Sequence, residues 1–244
     1  MIQDIHINKL PVGIVTDSHT HLDNLEKLKE KYEQIICLGD FTSVRKPTGS
    51  ANNDSVTAFR ESGIPCLRGN HEEYIHKLKT ATLPLPFAYD ISKKNLEFIG
   101  RLPVGFRLIL PNGLTTLCFH NRPNSLGGHG GNPQDIADLW YDYPIDETTS
   151  SVITGHNHLG IIRGYKGFDV KFVRCASLKD GGYAEIDEQG LVRLRNLHNT
   201  LENEEWWQKY CDIVDAQIVS ETVYPDLGDY PYYDEKEGKL ISPY

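Results

Sequence analysis

Short, unbroken apolar runs recur along the first 80 residues, and each ends abruptly in polar ones. Val12 to Thr16 reads as a buried strand, Leu22 to Tyr32 has the spacing of an amphipathic helix, and Gln34 to Leu38 reads as the next strand. A third unit follows, with a helix over Asp54 to Glu61, a strand over Ile64 to Leu67 and a helix over Glu72 to Lys79. This is the rhythm of βα units. The three strands end at Thr16, Leu38 and Leu67, and open α/β sheets place ligands at the carboxyl ends of their strands. From Phe106 onward the pattern changes. Arg107 to Leu110 and Leu114 to Phe119 flank Pro111, Asn112 and Gly113, a hairpin by its turn chemistry. Further strands are expected at Ser151–Thr154, Gly160–Tyr165, Asp169–Arg174, Tyr183–Ile186 and Leu191–Arg195, with one helix near Gln134 to Trp140. After Leu197 the spacing of Trp207, Tyr210, Cys211, Val214 and Ile218 predicts another helix, and a tail rich in Tyr, Pro and Asp runs to Tyr244. The expected domains are residues 1–200 and a C-terminal helix with an acidic Tyr/Pro-rich tail, residues 201–244.

Composition narrows the class. At 244 residues, 39% hydrophobic and 24% charged, the chain reads as folded and soluble rather than fibrous or disordered. No apolar run approaches the roughly 18 residues that cross a bilayer, and the first residues lack a basic stretch followed by a long apolar one. The expectation is a cytoplasmic protein with no membrane partner. The five cysteines are odd in number and form no CxxC, so neither a disulfide framework nor a thiolate zinc site is indicated. Charge is unevenly placed: residues 201–244 hold eleven acids and three bases, which is −8 of the total −9 and leaves −1 for residues 1–200. Neither part carries the basic excess of an extended nucleic-acid surface.

Five short motifs follow apolar runs directly: Asp17-Ser18-His19, Gly39-Asp40, Gly69-Asn70-His71-Glu72, His120, and Gly155-His156-Asn157-His158. Singly, each is compatible with a turn or a surface histidine. Together they bring two carboxylates, an asparagine and five of the ten histidines to strand ends. Imidazole and carboxylate without thiolate suit Mn, Fe, Zn, Ni or Co. Two such ions bring about +4, while two carboxylates and one bridging hydroxide return about −3, so the remaining charge favours an anionic substrate.

The motif set resembles the calcineurin-like metallophosphoesterase superfamily, whose ordered signature is DxH, GD, GNH[DE], H and GHxH. The resemblance spans about residues 11 to 197 and extends to the segment Leu96 to Leu108 and to Cys175-Ala176-Ser177, which are similar to the small single-domain bacterial and archaeal phosphodiesterases. It implies an α/β four-layer sandwich of two mixed sheets flanked by helices. It also implies two divalent metal ions, manganese favoured: one held by Asp17, His19, Asp40 and His158, the other by Asp40, Asn70, His120 and His156, with Asp40 bridging. His71 would be the catalytic acid, with Glu72 either orienting it or lying at the surface.

The chain departs from the family pattern at three places. Thr20-His21 stand where Gly-Asn is common, Asn121-Arg122-Pro123 follow His120 where Gly-Ser-Pro is common, and Ser43, with Arg45 nearby, replaces a usual carboxylate or arginine. Arg122, His21 and Asn121 are therefore candidate substrate contacts. Arg122 is suited to phosphate by its guanidinium, or else belongs to a surface salt bridge. The Gly-rich loop Asn124 to Asn132, with His129, is either a surface loop or a lid, and Trp206 and Trp207 are read as packing residues. The function expected is hydrolysis of phosphodiester or phosphomonoester bonds, in nucleotide-type or phosphoprotein substrates, by a metal-bridging hydroxide. Two alternatives stand beside it: a non-catalytic metal-binding scaffold of the same fold, or a TatD-type metal-dependent nuclease, whose first metal motif DSHTHLD also resembles.

Overall fold

A computed structural model describes residues 2–44, 50–80, 91–123, 143–158, 160–165, 168–197, 232–234 and 239–241. In chain order the elements are β1 (Ile2–His6), β2 (Val12–Val15), α1 (Asp23–Lys31), β3 (Ile35–Cys37), α2 (Ala51–Ser62), α3 (Asn70–Thr80), α4 (Lys93–Arg101), β4 (Gly105–Ile109), β5 (Thr115–Phe119) and β6 (Thr149–Thr154). They continue with β7 (Ile161–Tyr165), β8 (Phe168–Arg174), a 3-10 turn at Leu178–Asp180, β9 (Gly182–Ile186), β10 (Val192–Asn196), β11 (Tyr232–Asp234) and β12 (Lys239–Ile241).

Two mixed sheets form an α/β sandwich with helices outside. The larger has the order β1-β4-β5-β6-β8-β7 and the smaller β10-β9-β2-β3. A separate antiparallel ribbon pairs β11 with β12. The sheets are open, so the closed parallel barrel of the nuclease alternative is not formed.

Burial follows strand alternation. Val12 and Ile14 of β2, Ile36 of β3, Ala184 and Ile186 of β9, and Val192 and Leu194 of β10 meet Phe106, Leu108, Cys118, Ile153 and Val173 of the larger sheet. The alternate positions Val15, Ile35 and Cys37 turn to the other face, where Leu25 and Leu28 of α1, Val56 and Phe59 of α2, Ile75 of α3 and Ile99 of α4 cover them. Strands buried on both faces read as continuous apolar runs, which is why β2 and β3 were legible. On the outer face of the larger sheet, Leu117, Phe119, Val152, Val170 and Phe172 pack with Tyr143.

α1 carries Asp23 and Glu26 in its first turn and Lys29 and Lys31 in its last, each complementing the helix dipole. Leu25 and Leu28 are its fully buried pair, each worth roughly 1.5–3 kcal/mol. Its register is decided by that face.

Several elements differ from the sequence expectation. The run Ile64–Leu67 contributes only a single bridge, Cys37 to Cys66. β1 was not anticipated because its polar edge positions break the alternation. α4 is a second element outside the sequence expectation, although Ser92 marks its start, its hydroxyl accepting the Asn95 amide at 3.3 Å. The hairpin forms as β4 and β5, with Gly113 at φ 83° in its turn. All four cysteines among the described residues are free and buried. The helices expected at Gln134–Trp140 and after Leu197, the loop Asn124–Asn132, Arg45, Trp206 and Trp207 lie outside the described residues.

Candidate metal centre

The loops that leave β2, β3, β5 and β6 converge. The sheets bring them together through backbone bonds: the Asp17 amide donates to the Gly39 carbonyl (3.0 Å), His19 N–H to the Asp40 carbonyl (3.1 Å), and Gly155 N–H to the His120 carbonyl (2.9 Å). The Asp40 loop and the loop before α3 approach so closely that a Cβ on Gly69 would lie 2.1 Å from Asp40 Oδ1, and one on Gly39 would lie 2.6 Å from the Gly69 nitrogen. The glycines of both motifs are thus required by contact. Among the described residues, six non-glycine residues have positive φ: Asp17, His19, Thr20, Asp40, His156 and His158. Five of them are sequence-predicted ligands. Backbone strain of about 1–3 kcal/mol per such residue is confined to this one edge among the described residues.

Around Asp17, Oδ2 accepts from Thr16 Oγ1 (2.8 Å) and from the His156 amide (2.8 Å). Its other oxygen, Oδ1, is buried with no hydrogen-bond partner, yet lies 3.4 Å from His158 Nε2 and 3.8 Å from His19 Nε2. The two Nε2 atoms are themselves 2.9 Å apart. Two atoms each about 2.1 Å from one first-row ion are about 3.0 Å apart at a right angle and about 3.4 Å apart in a tetrahedron. An orphaned carboxylate oxygen and two converging ring nitrogens therefore fit a cation.

Asp40 faces a second convergence. Its Oδ2 lies 3.4 Å from His120 Nε2 and 3.7 Å from His71 Nε2, while Oδ1 accepts the His71 amide (2.9 Å). His120 Nδ1 donates to the Leu38 carbonyl (2.9 Å), which turns Nε2 toward Asn70 Oδ1 at 2.9 Å. His156 reaches the same Asn70 oxygen through Nδ1 at 2.7 Å and lies 3.3 Å from His120 Nε2. Among the described residues, three groups could hold a metal ion: Asp17, His19 and His158; Asp40, His120 and His156; and His19, Asp40 and His71, each with its atoms within 4.8 Å of one another. Asp40 and His19 each belong to two.

The electrostatics follow from burial. Burial alone would raise the Asp17 and Asp40 carboxyls, but the histidines facing them hold both below the usual carboxylate range. Burial alone would lower His120; Asp40, Asp17 and Glu72 overcome it and push it up to about 10. Burial lowers His19, while the Asp17 carboxylate, 3.4 Å away, raises His158. Three buried carboxylates, Asp17, Asp40 and Glu72, share this small volume, faced by histidines, backbone amides and the hydroxyls of Thr16 and Thr42.

Glu72 takes neither role expected for it. It is fully buried and bonds the Asp40 amide, the Gly69 amide and Thr42, tying two loops together rather than contacting the His71 ring. His71 Nδ1 is 3.0 Å from the Thr42 carbonyl, and the His71 ring lies against that of His19, centroids 4.6 Å apart and planes tilted by 48°. Of the candidate substrate contacts, Asn121 is buried with its carbonyl accepting from Tyr143 Oη at 3.3 Å, and Arg122 is half-buried two residues after His120. His21 is exposed, and among the described residues its ring makes no hydrogen bond; the turn from Ser18 that carries it is fixed by its backbone.

No curated protein gives a significant match to the sequence. Solved structures do. A metallophosphoesterase from Sphaerobacter thermophilus superposes with a TM-score of 0.58 at 16% identity, covering 84% of this chain and 95% of that one. A hypothetical protein from Pyrococcus horikoshii OT3 gives 0.57 at 13% identity, covering 86% and 96%. At such identities these likenesses speak for the fold. The family model of the calcineurin-like phosphoesterases matches residues 10–184, a stretch that holds all five motifs and every strand that delivers them to the common edge, and the chain belongs to that family.

Proposed function

We propose that the protein is a metal-dependent phosphoesterase that hydrolyses phosphodiester or phosphomonoester bonds, in nucleotide-type or phosphoprotein substrates, at a centre of two divalent ions. The observation that supports this best is the position of Asp40, whose Oδ2 faces the histidines of two of the three metal-competent groups. In this reading Asp17, His19, Asp40 and His158 hold one ion and Asp40, Asn70, His120 and His156 hold the other, with manganese favoured. When bound, the ions supply Lewis-acid polarisation of a phosphoryl oxygen and a water nucleophile active near neutral pH.

The remaining work falls to side chains. His71 directs Nε2 into the cluster while Nδ1 is tied to the Thr42 carbonyl. With Nδ1 already donating to that carbonyl, Nε2 holds a proton only in the doubly protonated ring, and it is this Nε2 proton that the departing oxygen takes. Arg122, on the loop just after His120, supplies a guanidinium to the phosphoryl oxygens, and Asn121 and His21 complete the candidate pocket. Among the described residues no helix is long and apolar enough to cross a membrane.

The test is turnover of p-nitrophenyl phosphate and bis(p-nitrophenyl) phosphate by protein stripped with a chelator, then reconstituted with Mn, Fe, Zn, Ni or Co. Turnover restored in step with two bound ions is the expected result. Two bound ions with no turnover of any ester in a wider panel would replace the enzyme with the scaffold. Failure to bind ions at all would remove both.

A further inference from the structure

The site holds a device that its metal-competent residues do not include. We propose that the Thr42–Ser43 peptide group sets the tautomers of His19 and His71 together, and that buried Glu72 and Asn52 are the positioning residues that aim it. The inference rests on the reading of this edge as a phosphoesterase metal centre, but its geometry stands apart from turnover.

The Thr42 carbonyl lies 3.0 Å from His19 Nδ1 and 3.0 Å from His71 Nδ1. A carbonyl has two lone pairs and no hydrogen, so both ring nitrogens must donate to it. Each ring then turns a bare Nε2 to the cluster: that of His19 to His158 and Asp17, that of His71 to Asp40. The Val44 amide also approaches His71 Nδ1, at 3.3 Å. It competes for the opposite tautomer, but the carbonyl contact is the shorter and admits only one direction of donation.

What keeps the carbonyl in place is equally specific. The amide of the same peptide unit, Ser43 N–H, donates to Asn52 Oδ1 (2.7 Å), and Asn52 Nδ2 returns a bond to the Ser43 carbonyl (2.8 Å). One residue earlier, Glu72 Oε1 accepts both the Thr42 amide (2.8 Å) and the Thr42 hydroxyl (2.7 Å). Its Oε2 accepts the Asp40 amide (2.8 Å) and the Gly69 amide (2.9 Å). Glu72 and Asn52 are both buried. An ionised carboxylate has about four acceptor positions, and all are used by these four donors. Burial, and then the charge of Asp40, raise the Glu72 carboxyl; the four donors each favour its ionised form.

The arrangement transmits. If the peptide rotated, both rings would lose their acceptor at once, and a proton would move to Nε2, the atom that must be bare for His19 to bind a cation. Glu72→Gln is the informative change, because it keeps the shape but points an NH₂ at two N–H donors. Groups that orient ligating histidines typically account for about 10- to 100-fold in metal affinity.

Three measurements on the full chain test this. Long-range ¹⁵N–¹H correlation of histidine-labelled, metal-free protein should show His19 and His71 as Nδ1–H tautomers, assigned by substitution of each. In Glu72→Gln both rings should lose that signature together, and Zn²⁺ titrated calorimetrically should bind about 10- to 100-fold more weakly. Should Glu72→Gln not fold, Thr42→Val keeps the carbonyl but removes the hydroxyl held by Glu72, and Asn52→Leu removes the acceptor of the Ser43 amide. Each should shift both signatures, whereas Thr42→Ser should restore them. His71 found as the Nε2–H tautomer accepting from Val44, or Zn²⁺ affinity and both tautomers unchanged in all these variants, would overturn the proposal. Wild-type protein with the expected tautomers and tight Zn²⁺ binding but no ester hydrolysis would instead overturn the function and leave this device standing.

Discussion

Two clusters of acidic residues sit at different places on the smaller sheet, and they are built on opposite principles. At the β9–β10 hairpin, Glu185 accepts from Arg195 Nη2 at 2.9 Å and from the Tyr32 hydroxyl, while Asp187 accepts from Arg193 Nε at 2.6 Å. Lys31 bonds the neighbouring Tyr183 hydroxyl at 2.8 Å. Each acid there has its counter-charge within the protein. At the carboxyl ends of β2 and β3, Asp17 and Asp40 are more deeply buried, face histidines, and leave Asp17 Oδ1 without a hydrogen bond. Burying a charge without its partner costs far more than a few tenths of a kcal/mol, so the free oxygen of the second cluster is suited to a cation from outside the chain. Unmet demand, rather than the density of acids, distinguishes a site from a structural network.

The contrast can be broken most severely at Asp40. Asp40→Asn removes the carboxylate common to two metal-competent groups, and the expected result is weakened binding of both ions, measured by elemental analysis. Turnover should fall by more than the roughly 10²-fold upper range of losses outside the ligand shell. A fully loaded variant with normal activity would end the bridging assignment.

Removing His71 should come next. General acid catalysis contributes about 10²–10⁴ in rate, so His71→Ala should lose on that order with an alkyl leaving group and far less with p-nitrophenolate. Both ions should remain bound. Equal losses on the two substrates would make His71 a binding group.

A third comparison is thermodynamic. Adding the metal at 100 times its Kd should stabilise the folded protein by about 2.7 kcal/mol, seen in unfolding with and without chelator. The hairpin cluster should be indifferent. In Arg195→Met, which leaves buried Glu185 short of a donor, stability should drop by about 1–3 kcal/mol, while the metal-induced gain stays as in the wild type. A metal-induced gain lost in that variant would mean the two clusters are coupled.

The smallest effect belongs to an ordinary surface pair. Burial would raise the Glu73 carboxyl, but Lys77 at 2.9 Å and Arg68 at 3.1 Å hold it below its usual value. A lowered carboxylate contributes stability above its unfolded pKa, near 4.3, and loses it as pH falls through the folded value. Glu73→Gln should therefore cost about 0.5 kcal/mol at pH 7 and nothing once Glu73 is protonated in acid. Urea unfolding at the two pH values decides it.

The sequence by itself determined which residues could do chemistry and which strands carry them. Periodicity makes β2, β3, β4, β5, β6, β8, β9 and β10 legible because each buries apolar side chains at short range in the chain. The five motifs announce themselves by residue type at strand ends. What it could not show is any relation fixed by contacts across the fold. β1 is an edge strand held by β4 more than 100 residues away, whereas α4 does carry local signals, the Ser92 cap and an amphipathic face that buries Ile99. Glu72 reads as a surface acid or a partner of His71, and only the approach of two glycine loops places it under Asp40 and Thr42. Asn52 and Thr42 carry no motif at all. Tertiary structure alone decided that one carbonyl would face two imidazoles and that one aspartate oxygen would be buried without a hydrogen bond, because both depend on distances between loops that the chain separates by 20 to 140 residues and the packing of two sheets brings together.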